Sequence, residues 1–428
     1  MNFHEFNLDS RLMTRIRRAG YIEPTPIQND AIPAAIAGKD LIGTAQTGTG
    51  KTAAFVLPIL QRLLTGPRKR TRALIVTPTR ELAEQIHEVI RTMGAGTGLR
   101  SATIYGGVGA GPQIQALQSG VEILVACPGR LLDHIQQRRA KLGTVEILVL
   151  DEADRMLDMG FLPDVNRILT HLPARRQTML FSATFPSEIE RLAARHLSQP
   201  QRIAIGLRAP ARTVSHALFP VPQHLKSALL LALLRSTESD SVLIFTRTKH
   251  RAERLARQIE QAGFRATRLH GNRSQGQRQA ALKGFKTGRY QIMVATDIAA
   301  RGLDVDNISH VINFDMPDTA DAYIHRIGRT GRAERNGEAF TLVTEQDGDL
   351  IRTLEKIMRK PLLRRTLPGF DYKAAPPPRP AVSSRKPRGT TAARNRHAGG
   401  TRKPRTAAPA ATRSRRVRQR SKKIAAAA

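Results

Sequence analysis

The sequence predicts an α/β chain with two parallel-sheet domains in tandem and a basic C-terminal tail. Three observations carry this prediction. Short runs of Ile, Leu and Val, such as Ala73–Thr77 and Glu146–Leu150, alternate with stretches of helical spacing, which is how strands buried on both faces of a parallel sheet read. The alternation breaks over Gly206–Thr213, around Pro210, and resumes from Ser215. From Lys373 to Ala428 there are 17 Lys and Arg, no Asp or Glu and almost no large apolar side chains, so this stretch cannot bury a core and is expected to be disordered. The expected divisions are a first domain over 1–206, a linker at 207–213, a second domain over 214–369 and the tail at 370–428.

The formal charge of +34 over 428 residues is unevenly spread, because the tail carries half of it. Both parts favour a polyanionic partner, and an arm without compensating acids points to nucleic acid. The one cysteine, Cys127, excludes an internal disulfide and a cysteine-cluster metal site. The sequence shows neither a basic-then-apolar leader nor an apolar run near the roughly 18 residues of a spanning helix, so a soluble, cytoplasmic protein that does not enter a membrane is expected.

Taken in order, Phe3–Gly20 has helical apolar spacing through Leu8, Leu12, Met13 and Ile16. In Gly20–Gln28, Pro24 and Pro26 stiffen an extended entry into the next helix. Tyr21 there can stack on a base, and the amide of Gln28 can pair with an adenine edge. A short buried strand over Asp40–Gly43 leads into Ala45-Gln46-Thr47-Gly48-Thr49-Gly50-Lys51-Thr52, the P-loop pattern. Its glycines let backbone N–H groups surround a polyphosphate, Lys51 can reach the terminal phosphates, and the Thr52 hydroxyl can ligate Mg²⁺. The helix from Lys51 to about Leu64 adds its positive N-terminal end.

Four further strands are expected in this half: Glu122–Ala126, Glu146–Leu150, Gln177–Phe181 and one near Arg202–Ile205. Ile147–Leu150 runs into Asp151-Glu152-Ala153-Asp154. Ligands of such sheets sit beyond the carboxyl ends of strands, which places Asp151 to hold Mg²⁺ and Glu152 to orient or deprotonate an attacking water. The second series has strands at Ser241–Thr246, Arg265–His270, Gln291–Thr296, His310–Phe314 and Ala339–Val343, with no P-loop of its own. In His325-Arg326-Ile327-Gly328-Arg329-Thr330-Gly331-Arg332, Arg329 and Arg332 are three apart, a spacing that can present both to a transferred phosphoryl group.

Together these residues, from Phe3 to about Phe370, resemble the DEAD-box ATP-dependent RNA helicases, and the RhlE-like bacterial group in particular. Gly20–Gln28, with Phe3 upstream, is similar to the Q motif, Ala45–Thr52 to motif I, and Asp151–Asp154 to the motif that names the family. Pro78-Thr79-Arg80-Glu81-Leu82-Ala83, Gly106-Gly107 and Pro128-Gly129-Arg130 resemble the RNA-contacting motifs of the first domain. Ser182-Ala183-Thr184 resembles the motif that couples hydrolysis to unwinding. Ile244-Phe245-Thr246, Gln275 with Arg278, Ala295–Asp304 and His325–Arg332 resemble the set of the second domain.

The resemblance implies two RecA-like domains with ATP and Mg²⁺ in the cleft between them and RNA, single-stranded or a short duplex, crossing both. It implies that Tyr21 and Gln28 recognise adenine, that Ala45–Thr52 hold the phosphates, that Asp304 holds the ribose, and that Arg329 and Arg332 act as arginine fingers beside the base Glu152. Asp154, Ser182, Ala183, Thr184 and His325 would couple the sites. Pro78, Thr79, Arg80, Gly107, Gly129, Arg130, Thr246, Gln275, Arg278, Thr296 and Asp297 would contact RNA, and ribosomal or RNA-decay assemblies would be partners. Cys127 stands where the family usually has Thr, and a thiol is the weaker donor to a phosphate oxygen. An RNA chaperone working through its tail and a DNA helicase stand as alternatives.

Overall fold

The computed structural model describes residues 2–45, 49–205, 214–237, 239–300, 308–331 and 337–375. Among them the first half of the chain forms a parallel sheet of β1 (Leu41–Thr44), β2 (Ala73–Val76), β3 (Ser101–Ile104), β4 (Ile123–Ala126), β5 (Ile147–Leu150), β6 (Gln177–Ser182) and β7 (Gln201–Ala204), in the order β3-β4-β2-β5-β6-β1-β7. The second half repeats the plan with β8 (Val214–Pro220), β9 (Val242–Thr246), β10 (Ala266–Leu269), β11 (Ile292–Thr296), β12 (His310–Asn313), β13 (Gly337–Val343) and β14 (Leu363–Arg364), in the order β10-β11-β9-β12-β13-β8-β14. Every pairing is parallel.

The continuous apolar runs resolve into two faces by the strand period of two. Ala73, Ile75, Ile147, Val149, Met179 and Phe181 enter one core, under the helices Pro26–Ile36, Lys51–Leu63 and Arg80–Met93. Leu74, Val76, Leu148, Leu150 and Leu180 enter the core on the opposite face. In the second sheet Val242, Ile244, Ile292 and Val294 face one core, while Leu243, Phe245, Met293 and Ala295 face the other. The two sheets lie within one compact unit.

Three expectations change. The N-terminal helix expected over Phe3–Gly20 is a 3₁₀ turn, Phe3–Phe6, followed by a helix, Ser10–Arg18. Asn7 takes φ 52°, which ends the turn, and the Asp9 carboxylate accepts from Arg11 N–H to start the helix anew. β3, β8 and β14 were not expected; β3 and β14 lie at sheet edges without a continuous apolar run, and in β8, which lies between β13 and β14, Ser215 and His216 break the apolar run. The packed chain also runs beyond the boundary expected at 369: Leu367, Phe370, Tyr372 and Ala374 lie against the second core, the Tyr372 hydroxyl accepts from Leu367 N–H at 2.8 Å, and Ala374 O is 2.9 Å from His224 Nε2. Residues 206–213, which include the linker expected at 207–213, and residues 376–428 lie outside the described residues. No helix of the described residues is long and apolar enough to cross a membrane.

Candidate nucleotide and nucleic-acid site

Because β5, β6 and β1 are neighbours, their carboxyl ends set Asp151–Asp154, Ser182–Thr184 and the P-loop side by side. Gly50 caps the helix Lys51–Leu63 at φ 92°, a left-handed conformation, and a Cβ there would come within 2.4 Å of Gln28 Nε2. The glycine therefore admits Gln28, whose Nε2 donates to Gly50 O at 3.0 Å while its Oε1 accepts from Thr25 N–H at 3.0 Å. The expected adenine reader is thus locked to the phosphate loop. Tyr21 packs edge-on to the buried Phe3 with ring centres 6.0 Å apart, so the upstream aromatic fixes its orientation. Lys51 is buried, and its Nζ donates to Ala45 O at 2.6 Å. Thr52 follows in the first helical turn, and Ala45 N–H donates to Ser182 O at 3.3 Å.

Three carboxylates are buried within four residues. Burial pushes the Asp151 carboxyl up to about 7, with Glu152 and Asp154 adding to the rise and Lys51 opposing it. Glu152 takes φ 53° and ψ 52°, which turns the chain from β5 into the helix Ala153–Asp158. Its carboxylate lies 3.2 Å from the Arg155 guanidinium, with both side chains 4% exposed. Asp154 Oδ2 accepts from Ala183 N–H at 3.2 Å and from the Thr184 N–H and hydroxyl at 3.0 and 3.2 Å, while Asp154 N–H donates to Ser182 Oγ at 3.1 Å. The end of β5 and the end of β6 are therefore one hydrogen-bonded unit.

The second half presents the helix Ala320–Ile327, which carries His325 and Arg326. Arg326 is buried, donates to both Asp297 oxygens at 2.6 Å and to Asn313 and Asp315 O, and lies 5.0 Å over the Phe245 ring. Asp297, expected at the RNA surface, has its carboxylate committed to this residue, which sequence reasoning gave no role. Arg329 is also buried. Arg155 of the first half and His325, Arg326 and Arg329 of the second line one small cavity. Gln46, Thr47, Gly48, Asp304 and Arg332 lie outside the described residues.

A separate groove is lined by Pro78, Thr79, Arg80, Glu81, Gly106, Cys127, Gly129 and Arg130 together with Arg278 of the second half. Gly107 takes φ 77°, and a Cβ there would meet the Arg80 guanidinium at 2.0 Å, so glycine lets that arginine lie across the loop. Thr79 caps the helix Arg80–Met93, and Arg130 donates to Val108 O at 3.3 Å. Cys127 is buried and its thiol is pushed up to about 12 by that burial, so it lines the groove as a neutral group. Glu81 Oε1 accepts from Gln275 Nε2 at 3.1 Å and pairs with Arg278 at 3.0 Å, so two side chains expected on RNA meet the first half instead. Thr246 is fully buried, while Thr296 and Asp297 open onto a further cleft beside Met159 and Arg247.

The chain matches the DEAD/DEAH box helicase family over residues 25–192 and the helicase conserved C-terminal domain over 225–334. It is 42% identical to the DEAD-box ATP-dependent RNA helicase CshA of Bacillus licheniformis, across 87% of this chain and 76% of that protein. It belongs to the DEAD-box ATP-dependent RNA helicases. The CshA of Bacillus subtilis is 41% identical across 87% of this chain and 75% of that one. The fold superposes on Saccharomyces cerevisiae Dbp5 bound to RNA and ADP BeF3 with a TM-score of 0.77 and 29% identity, covering 85% of this chain and 95% of that chain. The two sheets are thus the RecA-like domains of a DEAD-box helicase, an enzyme that hydrolyses ATP and uses Mg²⁺ with it. The described residues fit these groups: a buried lysine whose amine turns back on its own loop, three carboxylates buried within four residues, and a Glu152 Oε2 that accepts no hydrogen bond among the described residues.

Proposed function

We propose that this DEAD-box helicase is a cytoplasmic, RhlE-like enzyme whose ATP hydrolysis is stimulated by single-stranded RNA and which opens short duplexes locally by bending one strand. Its substrates are RNAs of ribosomal-precursor or RNA-decay assemblies. Lys51 and Thr52 would hold the phosphates and Mg²⁺, Asp151 would help hold Mg²⁺, Glu152 would accept the proton of the attacking water, and Arg329 and Arg332 would neutralise charge on the transferred phosphoryl group. Tyr21 and Gln28 read adenine, and Asp304 the ribose. Asp154, Ser182, Thr184 and His325 pass the state of the nucleotide to the groove containing Arg80, Gly107, Gly129 and Arg130.

One observation carries this reading: the cavity that joins Arg155, three residues beyond Glu152, to His325 and Arg329. Hydrolysis that needs groups from both halves occurs only when the halves are together, and RNA that touches both halves favours the same arrangement. Phosphate release should therefore be slow with ATP alone and rise with single-stranded RNA in low salt, and crosslinking RNA to the protein in cells should recover ribosomal-precursor or decaying messenger RNA. Equal turnover with and without RNA overturns the proposal, and equal stimulation by DNA redirects it to a DNA helicase.

A further inference from the structure

Arg155 follows the acidic motif directly and has no role in the proposed chemistry, yet its side chain is 4% exposed. A guanidinium stays ionised when buried, so this site needs a counter-charge. Glu152 supplies it at 3.2 Å. The pairing is incomplete: neither Glu152 Oε2 nor Arg155 Nη1 has a hydrogen-bond partner among the described residues, although both atoms are out of solvent. The guanidinium therefore attracts the carboxylate without hydrogen-bonding its Oε2. Arg155 also lines the cavity formed with His325, Arg326 and Arg329. That cavity holds about 20 Å³, enough for one water.

We propose that Arg155 is a positioning residue: it holds the Glu152 carboxylate toward the attacking water and, as part of the wall shared with the second half, ties that orientation to closure of the cleft. The inference rests on the assignment of Glu152 as base. In the step itself the water oxygen bonds to the γ-phosphorus, the bond from that phosphorus to the β–γ bridging oxygen breaks, and the water's proton passes to Glu152. Arg155 acts on this step through the Glu152 carboxylate, 3.2 Å from its guanidinium. Its contribution is to keep the carboxylate, held on a left-handed residue at a strand end, from rotating away.

The test is steady-state ATP hydrolysis at saturating RNA for Arg155→Met, Arg155→Lys, Glu152→Gln and the Arg155→Met, Glu152→Gln double variant, each first shown to be folded by its thermal midpoint. Arg155→Met should lower kcat by about ten- to a hundredfold at unchanged KM for ATP, since misplacing a reacting group costs rate rather than binding. Arg155→Lys, which returns the charge without the fork, should recover part of the loss even if the Met variant proves unstable. In the Glu152→Gln background the Met substitution should change residual turnover by less than twofold, because the carboxylate it positions is gone. Normal kcat in Arg155→Met, a raised KM in place of a lowered kcat, or the same fold-loss in both backgrounds overturns the inference. Normal turnover in Glu152→Gln alone overturns the base assignment, and is read without any Arg155 variant.

Discussion

Glu81 and Arg278, one from each RecA-like half, meet at 3.0 Å with side chains 6% and 13% exposed, and Gln275 donates to the same carboxylate oxygen. One acidic side chain thus secures two residues of the other half at the rim of the groove that also holds Arg80 and Arg130.

Removing one member of a buried ion pair leaves the other uncompensated, which costs about 3–5 kcal/mol in the arrangement that buries it. Glu81→Ala should therefore weaken the closed arrangement. RNA-stimulated turnover falls and half-saturation moves to higher RNA, while ATP binding to the first half stays normal. A double-mutant cycle with Arg278→Met should show about 0.5–3 kcal/mol of coupling in RNA half-saturation. Strictly additive losses would show that the contact does not hold the halves together.

Lys51→Ala removes the one buried lysine of the phosphate loop and should lower both nucleotide affinity and turnover. Glu152→Gln should separate the two, since the amide keeps the shape and is no base. We expect the Gln variant to bind ATP, hydrolyse it slowly and remain on RNA in a long-lived complex. Rapid dissociation of labelled RNA from this variant in excess ATP would return Glu152 to a structural part in the turn out of β5.

Arg329 lies two residues beyond the helix Ala320–Ile327, buried and lining the cavity that Arg155 shares. If it neutralises the transferred phosphoryl group, Arg329→Ala lowers turnover by about 10³ or more with ATP binding by the first half unchanged, and Arg332→Ala does the same. Near-normal phosphate release in both variants would remove the pair from the chemistry.

The strand runs were legible because both faces of each sheet are covered, which forces continuous Ile, Leu and Val at positions such as Leu74–Val76 and Ile147–Leu150. The same reasoning missed Ser101–Ile104, an edge strand whose residues are mostly half-buried and therefore free of that constraint. The phosphate loop and the acidic run were legible because each packs its chemistry into a few adjacent residues. Contacts across the halves leave no such trace. Nothing in the spacing of Glu81 and Gln275, 194 residues apart, says that they touch, and Arg326 reads as one more surface arginine until Asp297, Asn313 and Phe245 surround it.

Acid should weaken the second half through His216. This ring lies on β8, 6.3 Å from Tyr323 in the helix that carries Arg326, and burial, with Lys360 adding, lowers its pKa from 6.5 to about 4. Between those values the unfolded chain binds the proton and the folded one does not. The stability from the neutral ring is therefore complete above pH 6.5 and is lost as pH falls toward 4. The loss at pH 5 is on the order of 2 kcal/mol. His216→Phe keeps a ring against Tyr323 without the proton, so its thermal midpoint should fall less between pH 7 and 5; the buried His134 and the half-buried His196, shifted the same way, are common to both proteins. Parallel midpoint curves would clear His216 of the effect.

The basic tail should bind RNA without sequence preference and without nucleotide. Its 17 Lys and Arg from Lys373 onward include 16 beyond Ala375, with no acid to offset them. Each one that neutralises a phosphate on a single strand releases counterions and adds about 0.7 to the slope of log affinity against log salt. The cut that tests this belongs at Pro376, because Phe370, Tyr372 and Ala374 pack on the second core and an earlier cut would disturb it. Removal of 376–428 should lower nucleotide-independent RNA affinity and flatten its salt dependence by several such contacts. RNA-stimulated hydrolysis should survive at saturating RNA, since every residue assigned to the chemistry precedes the cut. Equal slopes for the two forms across a salt series would show that the tail takes no part in RNA binding. If instead the cut abolished RNA remodelling while Glu152→Gln retained it, the tail would carry the activity and the enzyme would be acting as an RNA chaperone.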